Sequence, residues 1–189
     1  MTTSFPINPF PINPFPVNSF SFKIAAIVAM DEGRAIGFEN GIPWHIPEDQ
    51  KRFAQLTSGQ TVLMGRKTYQ SLPEKFRPLP KRKNIVITRN TAHFEAPAAV
   101  AVFGSIESAL KGVVEEPGLM QGEVLWVIGG GEVYAEMLPL LDEIYLTQVL
   151  GNHQGDAFFP IFEDQFELVL SEDHGHYSYR NYQRRSADS

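Results

Sequence analysis

Residues 124–138 read VLWVIGGGEVYAEML. Five apolar residues run without alternation, as expected of a strand covered on both faces. Gly129, Gly130 and Gly131 stop the run, and a helix-forming stretch follows. A buried strand that turns through glycine into a helix is the repeating unit of a parallel sheet with crossover helices. The same turn suits an anion, because glycines admit a phosphate to the backbone and a helix start offers free N–H groups. A tight turn packed against its neighbour is the alternative. The full dinucleotide fingerprint needs a third glycine three residues after Gly131, where Tyr134 stands, which argues against a standard Rossmann domain.

The pattern repeats in both directions. FKIAAIVAM (22–30) is a second doubly buried strand, TVLMG (61–65) runs into a helix at Arg66 to Ser71, and NIVIT (84–88) and VAVF (100–103) are further strands. A helix is expected from about Glu48 to Thr57, Pro47 suiting its first position, and Ser105 caps another through about Glu115, with Glu107 in its first turn. Asp31 to Pro47 reads as loop. EIYLTQVL (143–150), FELVLSED (166–173) and YSYRNYQRR (177–185) are strands, the last two a hairpin. The expected class is α/β: a single domain with a central, mostly parallel sheet, helices on both faces and an antiparallel C-terminal edge. Ligands in such sheets bind where the carboxyl ends of the strands gather their loops.

The chain has 189 residues, 43 % hydrophobic and 12 % aromatic, enough for one core. A net charge of −6 argues against non-specific binding to nucleic acid or anionic membrane. With no cysteine there is no disulfide, zinc–thiolate site or thiol nucleophile. The five histidines lack ligand spacing, so no metal is expected. No apolar run approaches the roughly 18 to 20 residues that span a bilayer, and the start lacks the regions of a secretory signal. A cytoplasmic monomer is the expectation.

The first residues differ in kind. FPINP, FPINP and FPVNS place Phe5, Phe10, Phe15 and Phe20 at a period of five, with no charge before Lys23. Their prolines exclude helix and central strand. The segment reads as an extension without catalytic part, or as a tail that docks on a surface. The expected organisation is an extension over 1–21, the domain over 22–185 and a tail over 186–189.

Chemistry concentrates in three places. In GIPWHIPEDQKRF (41–53), helical phase puts Asp49 on one face with Phe53 and Leu56, while Glu48 turns toward Lys51, Gln55 and solvent. A carboxylate on an apolar stripe needs donors. Asp49 is either a first-turn cap or the receptor for a ligand with paired N–H donors. Trp44 is core filler or a seal against water. The glycine run is the second place. The third is cationic: Arg66, Lys67 and Thr68 follow one strand, and Thr88 and Arg89 end another, as a ribose phosphate requires. Lys75, Arg77, Lys81, Arg82 and Lys83 form a solvated loop or supply one arginine to an anionic substrate.

Seven motifs together carry a resemblance. IVA (27–29), IG (36–37), PW-x-x-P-x-D (43–49), MGRKT (64–68), PLP-x-RKN (78–84), VIGGG-x-VY (127–134) and YLT (145–147) resemble the dihydrofolate reductase family, bacterial chromosomal type, in order and spacing. The resemblance implies reduction of dihydrofolate by NADPH. It makes Asp49 the carboxylate that binds the pterin N3 and 2-amino group, with Trp44 holding a water beside it and Ile42 near the tip of a closing loop, Asp31 to Pro47. Ile27, Val28, Phe53, Leu72, Leu79 and Ile128 would line the substrate pocket, Thr147 would support Asp49, and Arg82 would pair with the substrate's α-carboxylate. Ala29, Ile36, Gly37 and the run Gly129, Gly130, Gly131, Glu132, Val133 and Tyr134 would surround nicotinamide and pyrophosphate. Gly65, Arg66, Lys67, Thr68, Thr88 and Arg89 would hold the adenosine end and its 2′-phosphate. Glu132 departs from relatives that carry a base there, and Arg89 is read as compensating. A reductase of a riboflavin-pathway pyrimidine and a non-catalytic NADP-binding regulator are the rival readings.

Overall fold

The central strand β1 (Lys23–Met30) alternates its side chains between two separate apolar layers. Ile24, Ala26, Val28 and Met30 enter one layer, Ala25 and Ile27 the other. This is a computed structural model that describes residues 20–186. The expected extension, apart from Phe20 and Ser21, and the last three residues of the expected tail lie outside the described residues.

After β1 come β2 (Ala35–Gly37), α1 (Pro47–Thr57), β3 (Thr61–Gly65), α2 (Arg66–Ser71), β4 (Lys83–Ile87) and β5 (Val100–Phe103). They are followed by α3 (Ile106–Glu115), β6 (Val124–Val127), α4 (Gly131–Met137), β7 (Glu143–Val149), β8 (Ala157–Phe158), β9 (Phe166–Asp173) and β10 (Tyr177–Arg184). The main sheet runs β5-β4-β3-β6-β1-β7-β10-β9. Its first six strands are parallel, and β10 and β9 add the antiparallel edge expected from the hairpin. Residues of α3 and α4, among them Leu110, Val133 and Met137, pack into the Ile24 layer. Tyr69 of α2, with Phe53 and Leu56 of α1, packs into the Ile27 layer. The α/β class with helices on both faces is therefore observed.

One local feature corrects the sequence reading, and a second decides an alternative that it left open. The segment Asp31 to Pro47 is not loop throughout: β2 pairs antiparallel with β8 as a second, two-stranded sheet. Strands of three and two residues are too short to show a period, so nothing local marked them. At α1, Pro47 holds the first-turn position as expected, but the cap residue is Ile46 and no side chain caps the helix. Ser105 does cap α3, in a reciprocal box with Ser108.

Candidate active site

With no capping duty, the Asp49 carboxylate is directed across the cleft. The Thr147 hydroxyl of β7 donates to Asp49 Oδ1 at 2.5 Å, joining residues 98 apart in sequence. Asp49 is half-buried and Glu48 exposed, as helical phase requires. Burial pushes the Asp49 carboxyl above its ordinary value, while the Thr147 bond and the positive charge of Arg52 hold it down. A carboxylate so placed has a fixed orientation and keeps Oδ2 for a ligand.

Around it, Ile27 and Leu79 are buried and Phe53, Leu72 and Ile128 half-buried in one continuous apolar layer. Val28 is the exception: its side chain packs in the opposite layer, so only its backbone can face the cleft. Arg82 stands at the rim with its plane set by two bonds, Nη1 to Thr57 Oγ1 at 3.1 Å and Nε to Pro80 O at 3.0 Å, and it lies 5.5 Å over the Phe53 ring. The loop that carries it is organised by buried Asn84. Its amide donates to Leu79 O and Arg82 O, and its oxygen accepts from Leu79 N–H.

The glycine run meets the third cluster directly. Gly65 N–H donates to Gly129 O at 2.8 Å, which brings the start of α2 beside the start of α4. Gly129 has φ +114, a conformation that L side chains rarely adopt, and its peptide to Gly130 is cis. A Cβ on Gly131 would lie 2.8 Å from the Phe158 carbonyl oxygen. Arg66 and Lys67 are exposed, Thr68 is half-buried and Thr88 is buried. Glu132 and Arg89 are both almost fully exposed and pair at 3.2 Å. Tyr134 is buried, its phenol held neutral by burial and donating to Ile27 O at 2.7 Å. It therefore braces the wall, because its proton is committed to the backbone.

The segment from Asp31 to Pro47 closes one side. Buried Asp31 accepts from Ala35 N–H and His153 N–H, and Asp156 joins Gly37 O and Glu39 N–H. Ala29, Ile36 and Gly37 are half-buried beside it. Trp44 is half-buried, edge-on to His153 at 5.2 Å between ring centres. Ile42 is 66 % exposed, so its side chain is turned to solvent rather than to Asp49.

Sequence reasoning passed over two residues here. Asn84 was visible within PLP-x-RKN, but its bonds depend on the loop folding back on β4. Arg52, three residues after Asp49, could have been found by extending the same helical phase. Elsewhere, a cavity of about 670 Å³ lies at the amino ends of β1, β6 and β7, far from these residues. Three of its charged groups are already engaged: Lys23 with Glu143, Asp142 with Ile24 N–H, and Arg184 with two backbone carbonyls. Among the described residues no cluster of His, Asp and Glu is placed to hold a metal.

The fold and site define a class: α/β proteins with a half-buried carboxylate beside an apolar layer and glycine-rich, cation-flanked strand ends. The family model for dihydrofolate reductase matches residues 23–186. The chain is 40 % identical over 151 residues to the dihydrofolate reductase of Bacillus subtilis, covering 79 % of this chain and 83 % of that one. It is 37 % identical over 160 residues to that of Aedes albopictus, covering 80 % and 86 %. With that of Mycobacterium tuberculosis it shares 41 % over 144 residues, covering 75 % and 82 %. The chain belongs to the dihydrofolate reductase family.

Proposed function

We propose that the protein reduces 7,8-dihydrofolate to 5,6,7,8-tetrahydrofolate with NADPH, supplying one-carbon metabolism. The observation that carries this is Asp49, fixed by Thr147 at the floor of an apolar cleft in a chain of this family. A buried anion flanked by apolar walls suits a flat ring whose edge offers paired N–H donors. The functional unit is residues 22–185, with 1–21 as an extension outside the chemistry. Among the described residues no helix is long and apolar enough to cross a membrane, and a cytoplasmic monomer is the form we infer.

The donor set around the glycines suits a phosphorylated nucleotide. Backbone N–H groups lie at the Gly129–Gly131 turn, and Arg66, Lys67, Thr68, Thr88 and Arg89 offer cations and hydroxyls at the neighbouring strand ends. Arg89 would exchange Glu132 for a 2′-phosphate, a small cost because the pair is solvated. When bound, NADPH supplies the hydride for C6 of the pterin.

The chain's residues do the rest. Asp49 binds the pterin N3 and 2-amino group, and its negative charge favours the pterin protonated at N5, the better hydride acceptor. A water held near Trp44 delivers the N5 proton. Ile27, Phe53, Leu72, Leu79 and Ile128 orient the ring and exclude bulk water, and the Tyr134-braced wall sets the approach of the two reactants. Arg82 pairs with the substrate's α-carboxylate.

The test is loss of reduced-nicotinamide absorbance on adding dihydrofolate, with NADPH and NADH compared. Turnover favouring NADPH is expected; no turnover with either overturns the reading. Arg82→Leu is expected to raise KM for dihydrofolate by about 10- to 100-fold with little change in kcat, the scale of a lost charge-assisted bond. An unchanged KM removes Arg82 from the site.

A further inference from the structure

Asp49 and Arg52 share a platform. Arg52 is three residues after Asp49 on α1 and therefore on the same helix face. Beneath it, β7 and β10 run antiparallel with Thr147 opposite Tyr179 and Tyr145 opposite Asn181. Residues two apart on a strand point to the same face, so these four side chains form one patch. Thr147 donates to Asp49, while Arg52 lies 4.3 Å over the Tyr179 ring and 5.7 Å from the Tyr145 ring, and its Nη2 donates to Asn181 Oδ1 at 2.8 Å. Arg52 Nη1 is buried with no hydrogen-bond partner. Among the described residues Arg52 forms no direct ion pair. A guanidinium kept partly out of water, held by rings and an amide rather than a carboxylate, acts on Asp49 through space and leaves Oδ2 available to a ligand.

We propose that Arg52 is a positioning residue: a fixed positive charge behind Asp49 that favours the ionised carboxylate and sets the pH range over which the cleft works. The inference rests on the function proposed above. Asp49 is faced by Arg52 on its own helix, Thr147 on β7, Tyr134 on α4 and Tyr179 on β10. Arg52 is faced by Asp49, Tyr145, Tyr179 and Glu172 of β9, which favour its charge against burial. The three tyrosines stay neutral and the guanidinium stays protonated, so Asp49 is the titrating partner. A nearby cation lowers the pKa of the carboxylate, and it equally lowers that of the pterin N5 above it. Catalysis needs the first deprotonated and the second protonated. Removing the cation therefore moves both limbs of the pH profile upward together, whereas a residue that only packs would lower the rate without moving either.

The experiment measures single-turnover hydride transfer against pH for the full chain, for Arg52→Gln and for Arg52→Lys. Carboxyl ¹³C NMR of the ligand-free proteins follows Asp49 in parallel. Arg52→Gln is expected to raise both limbs, and the Asp49 midpoint, by about one pH unit. Arg52→Lys is expected to leave the midpoints in place even if it is slower. Arg52→Met replaces Arg52→Gln if the latter does not fold. Unshifted midpoints in the neutral variant overturn the proposal, as does a lysine variant that moves as far as the glutamine. Absence of turnover by the unsubstituted chain instead overturns the functional reading, and the NMR titration still decides the coupling.

Discussion

Asp49 shows how a candidate ligand-binding carboxylate weighs against the fold that holds it. Burial raises its carboxyl pKa in the folded protein above the ordinary value of 3.8, despite Thr147 and Arg52. A group raised on folding contributes stability fully present below its unfolded pKa and lost as pH rises through the folded one. At neutral pH the ionised Asp49 is therefore a net cost to the fold. Asp49→Asn keeps an acceptor for the Thr147 hydroxyl and removes that cost. It is expected to melt roughly 2 °C or more above the unsubstituted protein at pH 7, with the margin closing toward pH 4. NADPH binding should persist, while turnover near pH 7 falls by on the order of 100-fold or more. Thermal melts at the two pH values, with a turnover assay, check this; equal margins at both would contradict the titration argument. Helical phase made the inward aim of Asp49 legible in the sequence. Its choice between cap and cleft was not, because the deciding hydroxyl is 98 residues away.

At the scale of elements, the loop from Pro78 to Asn84 converts a buried amide into a placed arginine. Asn84 is the first inward-facing residue of β4, and its three bonds fold Leu79 and Arg82 back over the strand start. Asn84→Leu leaves backbone groups of Leu79 and Arg82 buried without partners, a loss of about 2 kcal/mol. Because Arg82 then loses its pose, KM for dihydrofolate is expected to rise while kcat changes less. Denaturant midpoints and steady-state kinetics measure the two effects. A stability loss with an unchanged KM would show that Thr57 and Pro80 alone set the Arg82 plane. The motif was readable as letters, but its mechanics needed the loop's return path.

Across the whole molecule, a chain of buried and half-buried rings links the cleft wall to the distal hairpin. Tyr134 meets Phe159 at 4.8 Å, Phe159 meets Phe162 at 5.6 Å, and Phe162 meets Tyr182 at 5.0 Å and Phe166 at 6.1 Å, all edge-on. Phe162 is completely buried, and the Arg34 guanidinium lies 5.6 Å from its ring. Phe162→Ala empties the junction of these contacts and is expected to cost about 3–5 kcal/mol, or roughly 10 °C in melting temperature for a chain of this size. A melt settles it: a fall of only a degree or two would mean that the hairpin closes over the space.

The sequence by itself determined the alternation of strand and helix, the antiparallel edge, the inward phase of Asp49 and the strand ends that carry glycines and cations. These follow from local periodicity and turn chemistry, which act over a few residues. Only the tertiary structure decided that Thr147 meets Asp49, that β2 pairs with β8, that Val28 turns away from the cleft and Ile42 to solvent, and that Arg52 stacks behind the carboxylate. Each depends on which distant strands become neighbours and in what register, a choice made by burying the whole core at once.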